Sequence, residues 1–340
     1  MNRKKKIFLL SAFIVFFIIL NFYPLPYYVS RPGIAKVLDE VIDVENRTEN
    51  EGEFMLTTIR MGKANVFSYL MTKFNKYYDL HPEETVRLDE ESDEEYEIRQ
   101  LYYMENSKEN ALQVAFEKAG KEIDVKMEGI YVLNVKENMP AYGKLEPGDR
   151  IIEIDQRKIR SVREFTDYVQ KTKKGDTVHM TIIRDDQKLM KNVKVDILPE
   201  TNKPGIGIIL AEDKEVRMDP EVQINTEEIG GPSAGLMFAL EIYNQLVEED
   251  ITKGYRIAGT GTISPDGSVG PIGGIEQKVV AADREGAEIF FAPNEQGAAD
   301  SNFVHAYKTA RDIGSEMKIV PVDSFNDALD YLAVLKDKES

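Results

Sequence analysis

The sequence predicts an α+β protein in which an N-terminal transmembrane helix precedes two folded regions. Three observations support this prediction: an apolar run behind a basic end, alternating strands with one capped helix across residues 126–198, and glycine-rich turns that lead into apolar helices after residue 229. The chain of 340 residues is long enough for more than one domain, since domains commonly have ~100–200 residues.

The composition excludes several kinds of function. The formal net charge of −17 at pH 7 opposes binding to nucleic acid, because phosphate groups would be repelled over most of the surface. The chain has no cysteine, which excludes disulfides, thiolate metal sites and a cysteine nucleophile. His81, His179 and His305 do not form an HExxH motif. We therefore expect neither a metal nor another cofactor.

The N-terminus has the order expected of a membrane anchor. Residues 1–6 are basic, Ile7–Phe22 is apolar, and Tyr23, Tyr27 and Tyr28 follow it as an aromatic belt. No small-residue cleavage site follows the apolar run, so an uncleaved anchor over residues 7–28 is favoured over a signal peptide. Because positive residues stay on the cytoplasmic side, the N-terminus should be cytoplasmic and the remainder extracytoplasmic, at the cell membrane.

Residues 31–120 contain one clear strand and one clear helix. The stretch 54–59 is apolar and predicts a strand, whereas the acidic run 89–95 predicts a solvated loop. The apolar spacing in residues 106–119 predicts an amphipathic helix that ends at Gly120.

Residues 126–198 form a self-contained pattern. Strands are predicted at 130–135, 151–154, 178–183 and 193–197, and Ser161 with Glu164 predicts a capped helix start. This segment resembles a PDZ domain, most plainly in the stretch Leu145-Glu146-Pro147-Gly148-Asp149-Arg150-Ile151-Ile152-Glu153-Ile154.

The PDZ resemblance implies a groove between a strand and the capped helix, where an extended peptide adds a strand and its carboxylate meets backbone amides. On this basis the peptide-binding residues would be Gly129, Ile130, Tyr131 and Phe165, with residues 127–130 as the carboxylate loop. The alternative is that the segment is a spacer that only positions the rest of the protein.

A glycine-rich turn places a serine at the start of a helix. Gly230-Gly231-Pro232-Ser233-Ala234-Gly235 leads into the apolar stretch 236–247, and proline is well tolerated in a first helical turn. Free amides and the positive end of the helix dipole could stabilise an oxyanion there. Ser233 is therefore a candidate nucleophile that requires a base.

The best candidate base is a lysine in a second glycine-rich turn. Lys278 lies in Pro271-Ile272-Gly273-Gly274-Ile275-Glu276-Gln277-Lys278, where it enters a helix among aliphatic residues. Burial there would favour the uncharged amine. To act near neutral pH, the amine must lower its pKa by ~3 units, an effect of about 4 kcal/mol.

These two motifs together resemble the proteolytic domain of Lon peptidases, whose Ser–Lys dyad occupies a GPSAG turn and a PIGGI-x-x-K helix. The resemblance implies that Ser233 is the nucleophile, Lys278 the general base and Thr260 a residue that supports the lysine. Gly231, Pro232 and Ala234 would then form the oxyanion-binding turn. Gly230 stands where Lon enzymes usually have an acidic residue, and the chain has no phosphate-binding loop of the G-x-x-x-x-G-K-[ST] type.

The anchor, the PDZ segment and the Lon-type region together resemble the PDZ-containing, Lon-like S16 peptidases of the bacterial cell surface. The resemblance implies an ATP-independent serine endopeptidase that cleaves secreted or membrane-tethered peptides and proteins through an acyl-enzyme. Only ~35 residues separate the PDZ segment from Ser233, so residues 31–120 should join residues 199–340 in one proteolytic domain with the S5 domain 2-like fold. The PDZ domain, residues 126–198, would be inserted within it. Lon relatives form rings, so a homo-oligomer is also expected.

Two other functions fit parts of the sequence. A glycine-rich turn at a helix N-terminus also binds phosphate, as in small-molecule kinases of related fold. Alternatively, the chain could be a non-catalytic surface adaptor that uses only its peptide groove. Dependence of peptide cleavage on Ser233 separates the protease from both.

Overall fold

The computed structural model describes residues 23–45, 47, 51–88, 91–199, 201–226 and 229–338. Within these residues the chain forms two six-stranded sheets, three small two-stranded sheets and eight α-helices.

The strands are β1 (Pro24–Val37), β2 (Ile42–Val44), β3 (Glu53–Asn65), β4 (Asp79–Pro82), β5 (Glu122–Val135), β6 (Arg150–Ile154), β7 (Arg157–Lys158), β8 (Thr177–Arg184), β9 (Gln187–Lys194), β10 (Asp196–Leu198), β11 (Lys203–Gly205), β12 (Ile208–Asp219), β13 (Val222–Ile224), β14 (Arg256–Gly259), β15 (Thr262–Ile263), β16 (Val269–Gly270), β17 (Ile289–Pro293) and β18 (Lys318–Val322). The helices are α1 (Val66–Met71), α2 (Glu83–Val86), α3 (Asp93–Ala119), α4 (Val162–Val169), α5 (Gly235–Leu246), α6 (Ile275–Arg284), α7 (Asn302–Asp312) and α8 (Phe325–Ala333).

The first sheet joins the two ends of the described chain. Its strand order is β18-β17-β14-β3-β1-β4, so strands before residue 83 and strands after residue 255 share one sheet. Strand β3 is the junction: it pairs antiparallel with β1 and parallel with β14. Neither end of the chain can complete this sheet alone.

Side chains on the two faces of this sheet enter two different cores. Phe54, Leu56 and Phe291 point to one face and pack with helices α3, α5 and α8. Met55 and Phe290 point to the other face and pack with α6 and α7. Successive residues in a strand point to opposite faces, which explains why neighbouring residues enter different cores. Both faces of the sheet are thus covered.

The second sheet has the order β12-β5-β6-β8-β9 and encloses a separate core with α4. Strands β5 and β12 are longer than the others and pair from Ile208 opposite Val135 to Asp219 opposite Glu122. Their far halves extend beyond β6 as a two-stranded ribbon toward α3. The second sheet therefore connects to the first through two strands rather than one linker.

The predicted membrane anchor falls largely outside the described residues. Residues 7–22 are not among them, whereas Pro24–Tyr28 belong to β1, and Tyr28 is buried. The prediction that the anchor extends to residue 28 is therefore wrong, because these residues pair with β3 and β4 in the folded domain. In the described part of the chain, every helix is too short or too polar to cross a bilayer.

The acidic run at residues 89–95 is only partly the solvated loop that was predicted. Ser92 caps α3, its side chain and that of Glu95 forming a reciprocal capping box. Glu91 is buried, and its carboxylate receives two hydrogen bonds from Arg99 at 2.7 Å each. Helix α3 consequently begins at Asp93, 13 residues earlier than residue 106.

Because β3 joins both ends of the chain, we expect a cavity at Met55 to destabilise strands that are distant in sequence. Met55→Ala removes a fully buried side chain and should lower the free energy of unfolding by about 2–5 kcal/mol. Hydrogen exchange should accelerate in β14 and β17 as well as in β3. The matched control is Met190→Ala, whose side chain is 78% exposed. Unchanged exchange in β14 would contradict the shared sheet.

Candidate active site

Ser233 lies in the turn that precedes α5. The cap residue of this helix is Ala234, and the hydroxyl of Ser233 faces a cleft at the end of β14. Gly235 must be a glycine, because an added Cβ would lie 2.7 Å from Ile263 Cγ2 and 2.8 Å from Ser107 Oγ. The small residue lets the turn pack directly against β15 and α3.

Lys278 reaches Ser233 from the first turn of α6. Its Nζ atom lies 2.7 Å from Ser233 Oγ, 2.9 Å from Thr260 Oγ1 and 3.0 Å from the carbonyl oxygen of Thr57. Gly274, which caps α6, has φ +72, and a Cβ there would lie 2.8 Å from Ile59 Cγ2. This glycine is required both for the turn and for the close approach of α6 to β3.

The Lys278 amine is buried without a carboxylate partner. Its residue is 2% exposed, and desolvation lowers the pKa of the amine to about 7. The described residues offer it only neutral oxygen atoms. A neutral amine can donate two hydrogens, to Thr57 and Thr260, and accept one from the Ser233 hydroxyl. The charged amine can donate to all three, so both protonation states are satisfied.

Thr260 contacts both members of the pair. Its hydroxyl donates to the Ser233 carbonyl at 2.9 Å while accepting from Lys278, and the amide of Gly261 donates to the same carbonyl at 2.9 Å. The two residues directly after β14, Thr260 and Gly261, therefore hold the serine backbone, and Thr260 also holds the lysine amine. Thr57 was not identified from the sequence, because its contribution is a backbone carbonyl rather than a side chain.

The three residues predicted to form the oxyanion-binding turn have different partners. The amide of Gly231 donates to the Gln100 carbonyl at 2.9 Å, and Pro232, which has no amide hydrogen, accepts from Ser107 through its carbonyl at 3.1 Å. The amides of Ser233 and Ala234 have no acceptor among the described residues. These two amides, at the positive end of α5, are the donors available to an oxyanion.

The cleft beside Ser233 has a volume of about 710 Å³ and runs between β3 and α3. Strand β14 pairs with β3 only as far as Leu56, so the edge of β3 over Thr57–Met61 is unpaired on the cleft side. Leu101, Met104 and Ile229 supply apolar surface opposite this edge. One strand edge and one helix with apolar side chains therefore line the cleft.

Helix α3 links this site to the second sheet. Asn110, which is buried, donates to the Ile263 carbonyl at 3.0 Å and accepts from Lys214 of β12 at 3.0 Å. Tyr102 donates to the Glu212 carbonyl of β12 at 2.7 Å. The same helix also holds the serine turn through Gln100 and Ser107. None of these α3 contacts was foreseen, since each depends on a partner more than 100 positions away.

The residues predicted to bind a peptide lie in the interior of the second sheet. Ile130 and Tyr131 pair with β6 on one side and with β12 on the other, and Phe165 is 3% exposed in the core. Gly129, predicted to lie in a carboxylate loop, is within β5. The edge strands of this sheet are instead β12 and β9, and α4 flanks the β12 edge. The segment that leads into β12 is Gly205-Ile206-Gly207-Ile208. This glycine pattern before a strand could have indicated the position of the peptide groove.

Comparison with known families identifies two regions of the chain. Residues 102–195 match the PDZ domain family, and residues 193–335 match the Lon protease (S16) C-terminal proteolytic domain. The matches confirm the two domain types expected from the sequence, in a protein of mixed α/β structure.

Individual proteins are similar to parts of this chain. The Lon protease of Mesomycoplasma hyopneumoniae is 28% identical over 158 residues, 44% of this chain and 17% of that protein. The Lon protease of Mycoplasma mobile is 24% identical over 257 residues, 71% of this chain and 30% of that protein. The PDZ domain of the SdrC-like protein from Listeria monocytogenes is 38% identical, with 25% of this chain and 88% of that domain covered and a TM-score of 0.24. The chain spans less than a third of the length of these two Lon proteases.

Burial of Lys278 should cost stability in a pH-dependent way. The folded-state pKa lies below the unfolded value of 10.5, so the penalty is absent at high pH, grows as pH falls below 10.5 and is constant below about pH 7. We therefore expect the stability of Lys278→Met relative to the parent to increase by about 3 kcal/mol between pH 10 and pH 7. Denaturant unfolding at both pH values measures this difference.

The matched control is Lys253→Met. The amine of Lys253 pairs with Glu249, and this hydrogen bond raises its pKa. The stability from this pair is fully present below the unfolded pKa of 10.5 and is lost only as pH rises through the higher folded value, so the relative stability of Lys253→Met should barely change between pH 10 and pH 7. A relative stability of Lys278→Met that does not change with pH would contradict a neutral buried amine.

Proposed function

We propose that the chain is a serine endopeptidase of the Lon type that cuts polypeptides with Ser233 and Lys278 and needs no ATP. One observation carries this proposal: the Lys278 amine, whose burial lowers its pKa to about 7, lies 2.7 Å from the Ser233 hydroxyl. A base titrating near neutral pH within hydrogen-bonding distance of a hydroxyl is the arrangement that activates a serine. The family match over residues 193–335 supports the same chemistry.

The first half-reaction forms an acyl-enzyme. Neutral Lys278 accepts the proton of Ser233 as Oγ bonds to the substrate carbonyl carbon, and the carbonyl oxygen becomes an oxyanion. The amides of Ser233 and Ala234 donate to that oxyanion. The tetrahedral intermediate then breaks its C–N bond while the Lys278 ammonium gives the proton to the leaving amine. The lysine is neutral again.

Hydrolysis of the acyl-enzyme repeats the same proton transfers. A water molecule takes the place of the departed amine and loses a proton to Lys278 as its oxygen attacks the ester carbonyl. The C–O bond to Ser233 breaks, and Oγ recovers the proton. While it is charged, the ammonium is stabilised by the Thr57 carbonyl and the Thr260 hydroxyl. Thr260 thus acts by holding the amine in place.

The cleft favours an extended substrate. Backbone amide and carbonyl groups point to alternate sides along a strand. The backbone groups of Ile59 and Met61 therefore point in the same direction as the carbonyl of Thr57, toward the cleft. A substrate segment can pair with this edge as an added strand, which brings one of its carbonyls to Ser233. Leu101 and Met104 on α3 would contact apolar side chains of that segment. Folded proteins cannot offer such a segment, so the substrates are flexible or unfolded.

The PDZ domain recognises substrate at the open edge of β12 rather than at β5. Helix α4 flanks this edge, and Val162 and Ile208 lie partly exposed on the rim of the domain core. The Ile206–Ile208 loop would offer backbone amides to a terminal carboxylate. Contacts of α3 with both β12 and the serine turn would then place captured substrate in line with the cleft.

The protein is held at the extracytoplasmic face of the cell membrane by its N-terminal segment. This part of the proposal rests on the basic residues before Ile7 and the apolar run to Phe22. Secreted or membrane-tethered polypeptides are then the available substrates.

The proposed dyad predicts which residues proteolysis depends on. Ser233→Ala and Lys278→Ala should each reduce cleavage of fluorescein-labelled casein by the purified full-length protein on the order of 10³-fold or more. Ser315→Ala and Lys308→Ala, which change the same residue types on the surface of the domain, should retain full activity. Unchanged turnover by Ser233→Ala would refute the mechanism and leave the adaptor function.

The pH dependence of cleavage should report the lysine. The active form is the neutral amine, so kcat/KM for casein peptides should be low below pH 6, rise through a midpoint near pH 7 and level off above it. Kinetics from pH 5.5 to 9 test this directly. A rate that falls with rising pH over this range would show that Lys278 is not the base.

The position of the peptide groove is tested separately from the chemistry. Val162→Arg should weaken binding of an unstructured fluorescent peptide with a free, apolar C-terminus by on the order of tenfold, because it places charge in an apolar groove. Arg163→Ala, the neighbouring exposed change, should not. Fluorescence anisotropy with the inactive Ser233→Ala protein gives both affinities. Equal binding by the parent and Val162→Arg would exclude the β12 groove.

A further inference from the structure

Helix α1 exposes large apolar side chains that no other described element covers. None of its residues is buried. Phe67 is 61% exposed, Leu70 is 50% exposed, and Phe74, in the turn that follows, is 84% exposed. Spacings of three and seven residues place these three side chains on one side of a helical path. We call Phe67, Leu70 and Phe74 the aromatic face.

The aromatic face lies where the described chain begins. Pro24, at the start of β1, is paired with Asn65, the residue that caps α1. The rings of Tyr27 and Tyr69 also lie 6.2 Å apart, which ties the strand start to the helix. Tyr23, the first described residue, directly precedes Pro24, so the described chain enters the folded domain beside α1. In the sequence, the apolar run Ile7–Phe22 directly precedes this point.

Three lysines lie near the face in the sequence. They are Lys63, Lys73 and Lys76, in a chain whose net charge is −17. Lys63 pairs with Glu83 at 3.1 Å and Lys76 with Asp312 at 2.7 Å, while Lys73 lies over the Tyr69 ring at 5.7 Å. Tyr23, which precedes Pro24, is 61% exposed.

Apolar side chains bordered by lysines and tyrosines are typical of surfaces that rest in the interfacial layer of a membrane. Exposed apolar groups of this size otherwise indicate a protein partner. Here the neighbouring apolar run decides between the two. A bilayer that holds the N-terminal segment would lie near the point where the chain enters the domain, which is beside the face, so a protein partner would have to compete with lipid.

We propose that the aromatic face is a second membrane contact, in which Phe67, Leu70 and Phe74 insert among the headgroups and upper acyl chains of the bilayer that holds the N-terminal segment. This inference rests on the membrane attachment proposed above. The occupant is the lipid surface, and the contact fixes how the proteolytic domain stands on the membrane. One segment alone would let the domain rotate freely about its attachment.

The absence of tryptophan from the sequence permits a direct test. Phe67→Trp and Phe74→Trp are made singly in the full-length protein, which is reconstituted into vesicles of phosphatidylcholine and phosphatidylglycerol, with and without lipids brominated high on the acyl chain. Brominated lipid should reduce emission of both variants at least twofold, with a blue-shifted maximum. Met190→Trp, at a 78% exposed position on the other sheet, should lose less than a tenth of its emission.

Several outcomes are distinguishable. Protein that floats with the vesicles but shows no quenching at residues 67 and 74 overturns the contact and leaves attachment intact. A blue shift without quenching, which Leu70→Trp would reproduce, overturns it in favour of a protein partner such as a second copy. Protein that does not float refutes the attachment itself, and with it this contact. Casein cleavage by the same variants should equal that of the parent, so loss of proteolytic function is measured independently.

Discussion

The site depends on the exclusion of water from the Lys278 amine. Lys278 is inserted beneath the serine turn, where the carbonyl of β3 and the threonine after β14 replace water with neutral oxygen atoms. A nearby carboxylate would hold the amine charged, and solvent would do the same, so the fold must exclude both. The shared sheet is what makes this possible. Its central strand comes from the first part of the chain, whereas serine, threonine and lysine come from the last.

The second sheet interrupts the chain without disturbing the site. Entry and exit run side by side as β5 and β12, and α3 packs against both the ribbon and the serine turn. The helix is therefore a wall of the cleft, a support for the turn and the contact surface for β12 at once. A shift of β12 relative to α3 would displace the backbone of the serine turn through the contacts of Asn110 with Lys214 and Ile263.

The sequence indicated the parts of this arrangement that are local. Ser233, Lys278 and Thr260 occur in glycine-rich motifs, and the structure brings the hydroxyls of Ser233 and Thr260 within 3 Å of the Lys278 amine. Thr57 supplies only a carbonyl from 221 positions away, and no local pattern encodes that. The alternation in β5 predicted a strand but could not reveal its neighbours, so Ile130 and Tyr131 were expected at an edge that β12 occupies. Tyr28 resembled an interfacial tyrosine because its pairing with β3 and β4 is invisible in the sequence.

Strand β3 also acts as a spacer. It runs from Thr57, beside the lysine, to Asn65, beside the chain's entry, a separation of eight residues or ~26 Å at ~3.3 Å per residue. If α1 rests on lipid and β3 runs along the membrane normal, Ser233 would stand about that far above the bilayer. A polypeptide tethered to the same membrane would then be severed only where its stalk is long enough to span the gap. Stalk length, more than residue identity, would decide which tethered proteins are shed.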